Sequence, residues 1–113
     1  DIHGDDNTFI GSQKMDTNGI SHNMTVNIYA DDNDVYARQA QNGDKTLTLT
    51  IRNDDNDVFI NQRDNGAHTA TITLTGTNPT DLDLIQKGNT AQTYSLSQNC
   101  LTVGGCSISV TQQ

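Results

Sequence analysis

Two stretches of the chain alternate polar and apolar residues without a break: Thr46-Leu47-Thr48-Leu49-Thr50-Ile51 and Thr69-Ala70-Thr71-Ile72-Thr73-Leu74-Thr75. A period of two puts every second side chain on one face of an extended strand, so both predict half-buried β-strands. The alternation recurs around a set of glutamines, in Asn7-x-Phe9-x-Gly11-x-Gln13, Asn33-x-Val35-x-Ala37-x-Gln39, Asn56-x-Val58-x-Ile60-x-Gln62 and Thr80-x-Leu82-x-Leu84-x-Gln86. Successive glutamines lie 26, 23 and 24 residues apart. Each is followed by a turn, Asn42-Gly43, Asn65-Gly66 and Gly88-Asn89 in units two to four and a longer loop with Asn18-Gly19 in unit one. Asn and Gly tolerate the positive φ such turns use.

A second alternating segment follows each turn. Its expected inward residues are Met24, Val26, Ile28, then Leu47, Leu49, Ile51, then Ala70, Ile72, Leu74, then Tyr94, Leu96 and Gln98. A shortened fifth copy reads Asn99-x-Leu101-x-Val103, a Gly104-Gly105 turn, and Ile108-x-Val110-x-Gln112. The pattern predicts an all-β chain, a β-solenoid of five stacked strand-turn-strand repeats forming one domain over 1–113, with repeats near 5–30, 31–53, 54–77, 78–98 and 99–113. A unit of this length cannot bury its own apolar face, so neighbours must stack to make a continuous core. Stacking places Asn7, Asn33, Asn56 and Thr80 in one inward column and Gln13, Gln39, Gln62 and Gln86 in another. A side-chain amide that donates to one neighbour and accepts from the other is satisfied there, whereas an isolated buried amide is costly. These eight residues are the expected assembly ladder.

Composition narrows the function. Only 32% of the 113 residues are apolar and mean hydropathy is −0.64, poor for a compact globule, yet the strict alternation argues against disorder. Six basic against fourteen acidic residues give a net charge of −8, which would repel a phosphate backbone, so nucleic acid is not expected as a partner. No stretch nears the roughly 20 apolar residues that cross a bilayer, and no basic segment followed by an apolar one opens the chain. A soluble chain without membrane insertion is expected, with Asp1 a residue that could follow a removed signal peptide.

Cys100 and Cys106 are expected to be joined, which suits an oxidising, secreted setting. Simple alternation points Cys100 outward and Cys106 inward if Leu101, Val103, Ile108 and Val110 all face the core, so the bond requires the strand to bend or end near Cys100.

Chemistry-bearing motifs are few. His3, His22 and His68 fall in three different contexts and are expected to be ordinary surface histidines. Nucleophile-elbow, zinc-protease and phosphate-loop motifs are missing, so neither catalysis nor a cofactor is expected. Acidic corners recur at Asp5-Asp6, Asp31-Asp32-Asn33-Asp34 and Asp54-Asp55-Asn56-Asp57. Asp31, Asp32, Asp34, Asp54, Asp55 and Asp57 form a weak calcium candidate, because stacked carboxylates repel and calcium takes several oxygens. A solvated acidic edge that keeps free subunits soluble is the preferred reading. Ile10, Tyr36, Phe59 and Ile85 are read as one outward apolar stripe, a lateral contact surface.

The inward polar pair six residues apart, followed by Gly or Asn in the turn, resembles the curlin repeat, written Ser-x5-Gln-x-Gly-x2-Asn-x-Ala-x3-Gln. Thr80, Gln86, Gly88, Asn89 and Ala91 match most fully, while Asn stands at the Ser position in units one to three. The glycine two places after the glutamine is kept only as Gly88, and Gln92 and Gln98 flank the second glutamine of the motif. The resemblance covers about residues 5–98. It implies secretion to the cell surface, self-polymerisation into cross-β fibres and a part in biofilm or adhesion, with a nucleating subunit and secretion machinery as further partners. An alternative comes from the outward Thr46, Thr48, Thr50, Thr69, Thr71, Thr73, Thr75, Thr93, Ser95, Ser97, Ser107, Ser109 and Thr111, an array like that of some ice-binding solenoids. Asn23, Asn27 and Tyr29 interrupt it. A sandwich of antiparallel hairpins would need no register between units and leaves the aligned glutamines unexplained.

Overall fold

A computed structural model describes residues 1–15, 21–89, 91–101 and 103–113, without the side chain of Met15. The Asn18-Gly19 loop lies outside the described residues. Nine strands are present and no helix is seen among the described residues: β1 (Phe9–Met15), β2 (His22–Asn27), β3 (Val35–Gln41), β4 (Lys45–Thr50), β5 (Val58–Arg63), β6 (His68–Thr73), β7 (Leu82–Lys87), β8 (Gln92–Ser97) and β9 (Ile108–Gln112). The odd-numbered strands form a five-stranded sheet in the order β1-β3-β5-β7-β9, and the even-numbered ones a four-stranded sheet, β2-β4-β6-β8. Every pairing is parallel and in register. The fold is the expected β-solenoid: four complete strand-turn-strand turns and a fifth begun by β9.

Alternation builds the core. Met24, Leu47, Ala70 and Tyr94 stack in one row of the four-stranded sheet, and Val26, Leu49, Ile72 and Leu96 in the next. They face Val35, Val58 and Leu82, and Ala37, Ile60 and Leu84, of the other sheet. Phe9 folds back over Gly11, where an added Cβ would lie 2.6 Å from the ring, and so helps close the core at the N-terminal end.

The corners explain the recurrent aspartates. Asp31 (φ 80°), Asp34 (φ 84°), Asp54 (φ 61°) and Asp57 (φ 75°) all hold left-handed backbone. Aspartate takes this conformation more readily than most side chains. Asn33 and Asn56 donate their backbone N–H groups to the carbonyls of Asp31 and Asp54, closing two equivalent turns. The next corner uses Gly76 (φ 110°), where an added Cβ would fall 2.0 Å from the Cβ of Asn53.

The fifth unit departs from expectation. None of the described residues of 99–107 lies in a strand, and Leu101 and Val103 are exposed (77% and 100%) rather than inward. β9 is not a second-type strand but a first-type one, with Ile108, Val110 and Gln112 opposite Leu82, Leu84 and Gln86. The pattern was ambiguous because Gln112 ends the fifth glutamine segment just as Gln86 ends the fourth. Ser109 and Thr111 consequently lie on the opposite face of the molecule from the threonine array.

Candidate functional site

The expected glutamine column is present and hydrogen-bonded throughout. Gln39 Nε2 donates to Gln13 Oε1, Gln62 to Gln39 and Gln86 to Gln62, each at 2.8 Å, and Gln112 extends the column onto Gln86 at 2.7 Å. Each interior amide also donates across the core to a strand carbonyl, Gln39 to Thr46, Gln62 to Thr69 and Gln86 to Thr93, all at 2.9 Å. The column thus ties rung to rung and sheet to sheet. Gln112 was not among the expected members, though its alternation with Ile108 and Val110 carried the signal.

The asparagine column is shorter. Asn33 Nδ2 donates to Asn7 Oδ1 at 2.8 Å, and Asn56 Nδ2 donates to Asn33 Oδ1. Thr80 occupies the next place but does not extend it: its Oγ1 and the Asn56 Oδ1 are buried without a partner. The hydroxyl is too short to carry the amide relay onward.

Two of the three histidines are not surface residues. His22, Lys45 and His68 stack in register at the start of β2, β4 and β6, exposed by only 2%, 1% and 0%. Lys45 Nζ donates to the carbonyls of Gly43 (2.8 Å) and Asn65 (3.3 Å). Neither imidazole has a hydrogen-bond partner on either ring nitrogen. Burial, reinforced by the Lys45 charge, lowers both histidines below the ordinary imidazole range, and burial lowers Lys45 as well. Each of these residues lies two places before an inward apolar residue, so period two alone could have placed them inside. Their polar chemistry concealed it. His3 is exposed, as expected, and lies beside Tyr29.

The outward stripe is real for three residues and not for the fourth. Ile10, Tyr36 and Phe59 lie in one row, with the Tyr36 and Phe59 rings stacked at 5.2 Å. The next place in that row is Asp83, and Ile85 belongs to the neighbouring row opposite Asn61. Ile85 lies one residue before its glutamine, whereas Ile10, Tyr36 and Phe59 lie three before theirs, so counting from the glutamine separates them.

The calcium candidates line the corners, but no group of three or more metal-ligating side chains converges among the described residues. Asp31 N–H donates to Asp54 Oδ1 at 3.0 Å. A hydrogen bond that the protonated Asp32 carboxyl donates to Asp6 raises it above its ordinary range, with burial and the charges of Asp55, Asp6 and Asp31 adding to it. Cys100 and Cys106 form a disulfide with Cα atoms 5.9 Å apart. Their orientations are the reverse of simple alternation: Cys100 is buried and Cys106 exposed, because the strand has ended before Cys100.

On the four-stranded sheet, threonines make a regular outward array in which Thr46 and Thr69 lead to Thr93, Thr48 and Thr71 to Ser95, and Thr50 and Thr73 to Ser97. The first rung supplies Asn23, Thr25 and Asn27 to the same rows. Strand edges with no neighbouring strand lie at both ends of the solenoid, β1 and β2 at one end, where Ile2 N–H reaches Asn27 O, and β8 and β9 at the other. Compared with known proteins, the chain matches no family model, and no curated protein or solved structure matches it.

Proposed function

We propose that the chain is a structural subunit of an extracellular, curlin-like fibre that grows by stacking of solenoid ends. The observation that carries this reading is the in-register glutamine column running from Gln13 at one end to Gln112 at the other, flanked by open parallel edges. An edge of unpaired N–H and C=O groups is a template for another chain, and amide columns that continue across a junction reward stacking in register. The row of Ile10, Tyr36 and Phe59 offers a lateral contact between neighbouring fibres. The disulfide suits secretion into an oxidising setting. On this reading the partners are further copies of the chain, a nucleating subunit and the secretion machinery, with neither enzymatic activity nor a cofactor.

A second reading rests on the threonine array, whose rows repeat at fixed spacing across β4, β6 and β8 and would suit an ice-binding monomer. One experiment separates the two. Purified protein held at room temperature is followed by thioflavin fluorescence and electron microscopy, and in parallel assayed for thermal hysteresis. Fibres with cross-β spacings support the first reading; a persistent monomer with hysteresis replaces it by the second.

A further inference from the structure

The outer face of the five-stranded sheet carries its charges in one order along each rung. Asp34, Asp57 and Asp81 stand exposed just before β3, β5 and β7. Four of the six basic residues follow within the strands of this sheet, one to a strand: Lys14 in β1, Arg38 in β3, Arg63 in β5 and Lys87 in β7. Each of the second, third and fourth rungs therefore starts acidic and finishes basic.

In the two central rungs this order is symmetric about the aromatic row. Asp34 lies two residues before Tyr36 and Arg38 two after it. Asp57 lies two before Phe59 and Asn61 two after it, where Arg63 Nε donates to Asn61 Oδ1 at 2.7 Å and so brings its guanidinium back towards the Arg38 row. Asp34 and Arg38 are about 13 Å apart in extended chain, too far for an ion pair within one copy. Between them the Tyr36 and Phe59 rings stack on each other, with Tyr36 40% and Ile10 76% exposed. The face is thus an apolar row flanked by unlike charges that do not neutralise each other.

From this we infer that the outer face of the five-stranded sheet docks on the same face of a second copy, the two solenoids lying side by side and pointing the same way. A two-fold axis along the Tyr36–Phe59 row gives this arrangement. The facing strands then run antiparallel, aromatic row lies on aromatic row, and each copy's Asp34 meets the other's Arg38 while each Asp57 meets the other's Asn61 and Arg63. Turning the second copy about an axis along the strands instead, so that the solenoids oppose, sets acid against acid and base against base. Charge therefore selects the orientation. It also disfavours an anionic polymer as the occupant, because the three aspartates share the face and the chain carries −8 overall.

The size of the face says when it is used. Four rungs at about 4.8 Å by seven residues at about 3.3 Å give about 450 Å² on each copy, roughly 900 Å² in all. A stable pair buries about 1,200 Å² or more. Single subunits therefore stay apart, while the same contact repeated along two fibres adds up. The inference deepens the fibre reading and rests on it for that repetition.

The test mixes ordinary and isotope-labelled protein carrying Arg38→Lys, which keeps the charge and supplies an amine. A zero-length carbodiimide is applied at about 0.15 M salt, where long-range repulsion is screened, both after fibre growth and in concentrated soluble protein. Mass spectrometry should find position 38 of one copy joined to Asp34 of another, in peptides of mixed isotope. In electron micrographs Arg38→Glu should cut fibre bundling at least fivefold. Arg52→Glu changes the charge equally but lies outside this sheet, over the Tyr29 ring, and should leave bundling unchanged. Absence of mixed coupling between positions 38 and 34, or equal bundling of the two charge variants, overturns the inference. Bundles that form only with added alginate also overturn it and give the face to an anionic polysaccharide. Fibres without coupling leave the fibre reading and remove the pairing, and coupling in soluble protein that forms no fibres does the reverse.

Discussion

Replacing Gln62 by leucine tests whether the amide column holds the fold together. Gln62 makes three side-chain hydrogen bonds: it donates to Gln39 Oε1 at 2.8 Å and to Thr69 O at 2.9 Å, and accepts from Gln86 Nε2 at 2.8 Å. Each such bond contributes about 1 kcal/mol net, and a buried polar atom left unpaired costs about 1–3 kcal/mol. The substitution orphans Gln39 Oε1 and one N–H of Gln86, while the leucine returns part of this as apolar burial. The expected net loss is about 2–4 kcal/mol, a large share of the roughly 5–15 kcal/mol of a typical domain. Gln112→Leu removes one bond at the open end and should cost about 1 kcal/mol or less. Replacing Gln39, Gln62 and Gln86 together removes donors and acceptors at once, so the triple variant should lose less than twice what Gln62→Leu loses. Urea unfolding of the monomer reads this directly, as a midpoint shift of about 1–2 M for Gln62→Leu with an unchanged slope. If Gln62→Leu and Gln112→Leu cost the same, or if the triple loss is three times the single one, the cooperative column is the wrong account.

His22 and His68 predict a pH dependence. Both are held below the ordinary value of 6.5 by burial and then by Lys45, so the unfolded chain binds protons that the folded chain refuses. Stability should be full above about pH 6.5 and fall as the pH drops below it. Gly43 O and Asn65 O bind Lys45, while Asp44 and Asp64 are the acidic groups acting on it, and Asp64 also favours the charged form of His68. Replacing both histidines by glutamine should flatten the thermal midpoint between pH 6.5 and about 5, and an unchanged slope would remove the column as its cause. Asp32, raised above its ordinary 3.8, acts with the opposite sign, and the histidine-to-glutamine variant leaves that contribution unchanged. For the disulfide, whose cysteines are 6 residues apart, a Cys100→Ser, Cys106→Ser variant should lose about 2 kcal/mol or less by loop closure. Exchange protection should fall mainly at Ile108–Gln112, and uniform loss across β3 to β6 would contradict a local role.

Periodicity carried most of the fold. Alternation and the spacing of Gln13, Gln39, Gln62 and Gln86 placed eight strands and the register between them, because each inward row is constrained by the row beneath it. It misassigned the last unit because a short tail offers two alternating segments, Leu101 with Val103 and Ile108 with Val110, and only a ladder decides which one stacks. Chemistry misled where it was weighed above position. Histidine chemistry suggested the surface for His22 and His68, although their place two residues before an inward apolar residue put them inside, as it does Lys45, which the sequence reading passed over. The repeated aspartates, read chiefly as a solvated acidic edge with calcium a weak candidate, sit in corners where Asp31, Asp34, Asp54 and Asp57 hold left-handed backbone, a conformational role the sequence reading did not consider. The stripe through Ile10, Tyr36 and Phe59 was legible, and Ile85 was added on similarity of residue type rather than on count.

The amide relays have a sense of direction. In every step of the glutamine column the later residue gives the hydrogen and the earlier one receives it, and the two asparagine steps run the same way. Their dipoles therefore add along the axis instead of cancelling. At the N-terminal face Gln13 gives one amide N–H to Asn23 O at 2.7 Å and keeps its second N–H as the donor of that face, while its oxygen serves Gln39, the residue after it in the stack. At the far face the amide oxygen of Gln112 comes last and calls for a donor. Two like faces brought together would set donor against donor or acceptor against acceptor. An axis built this way carries an arrow, and any stack that keeps its relays intact must have a front and a back.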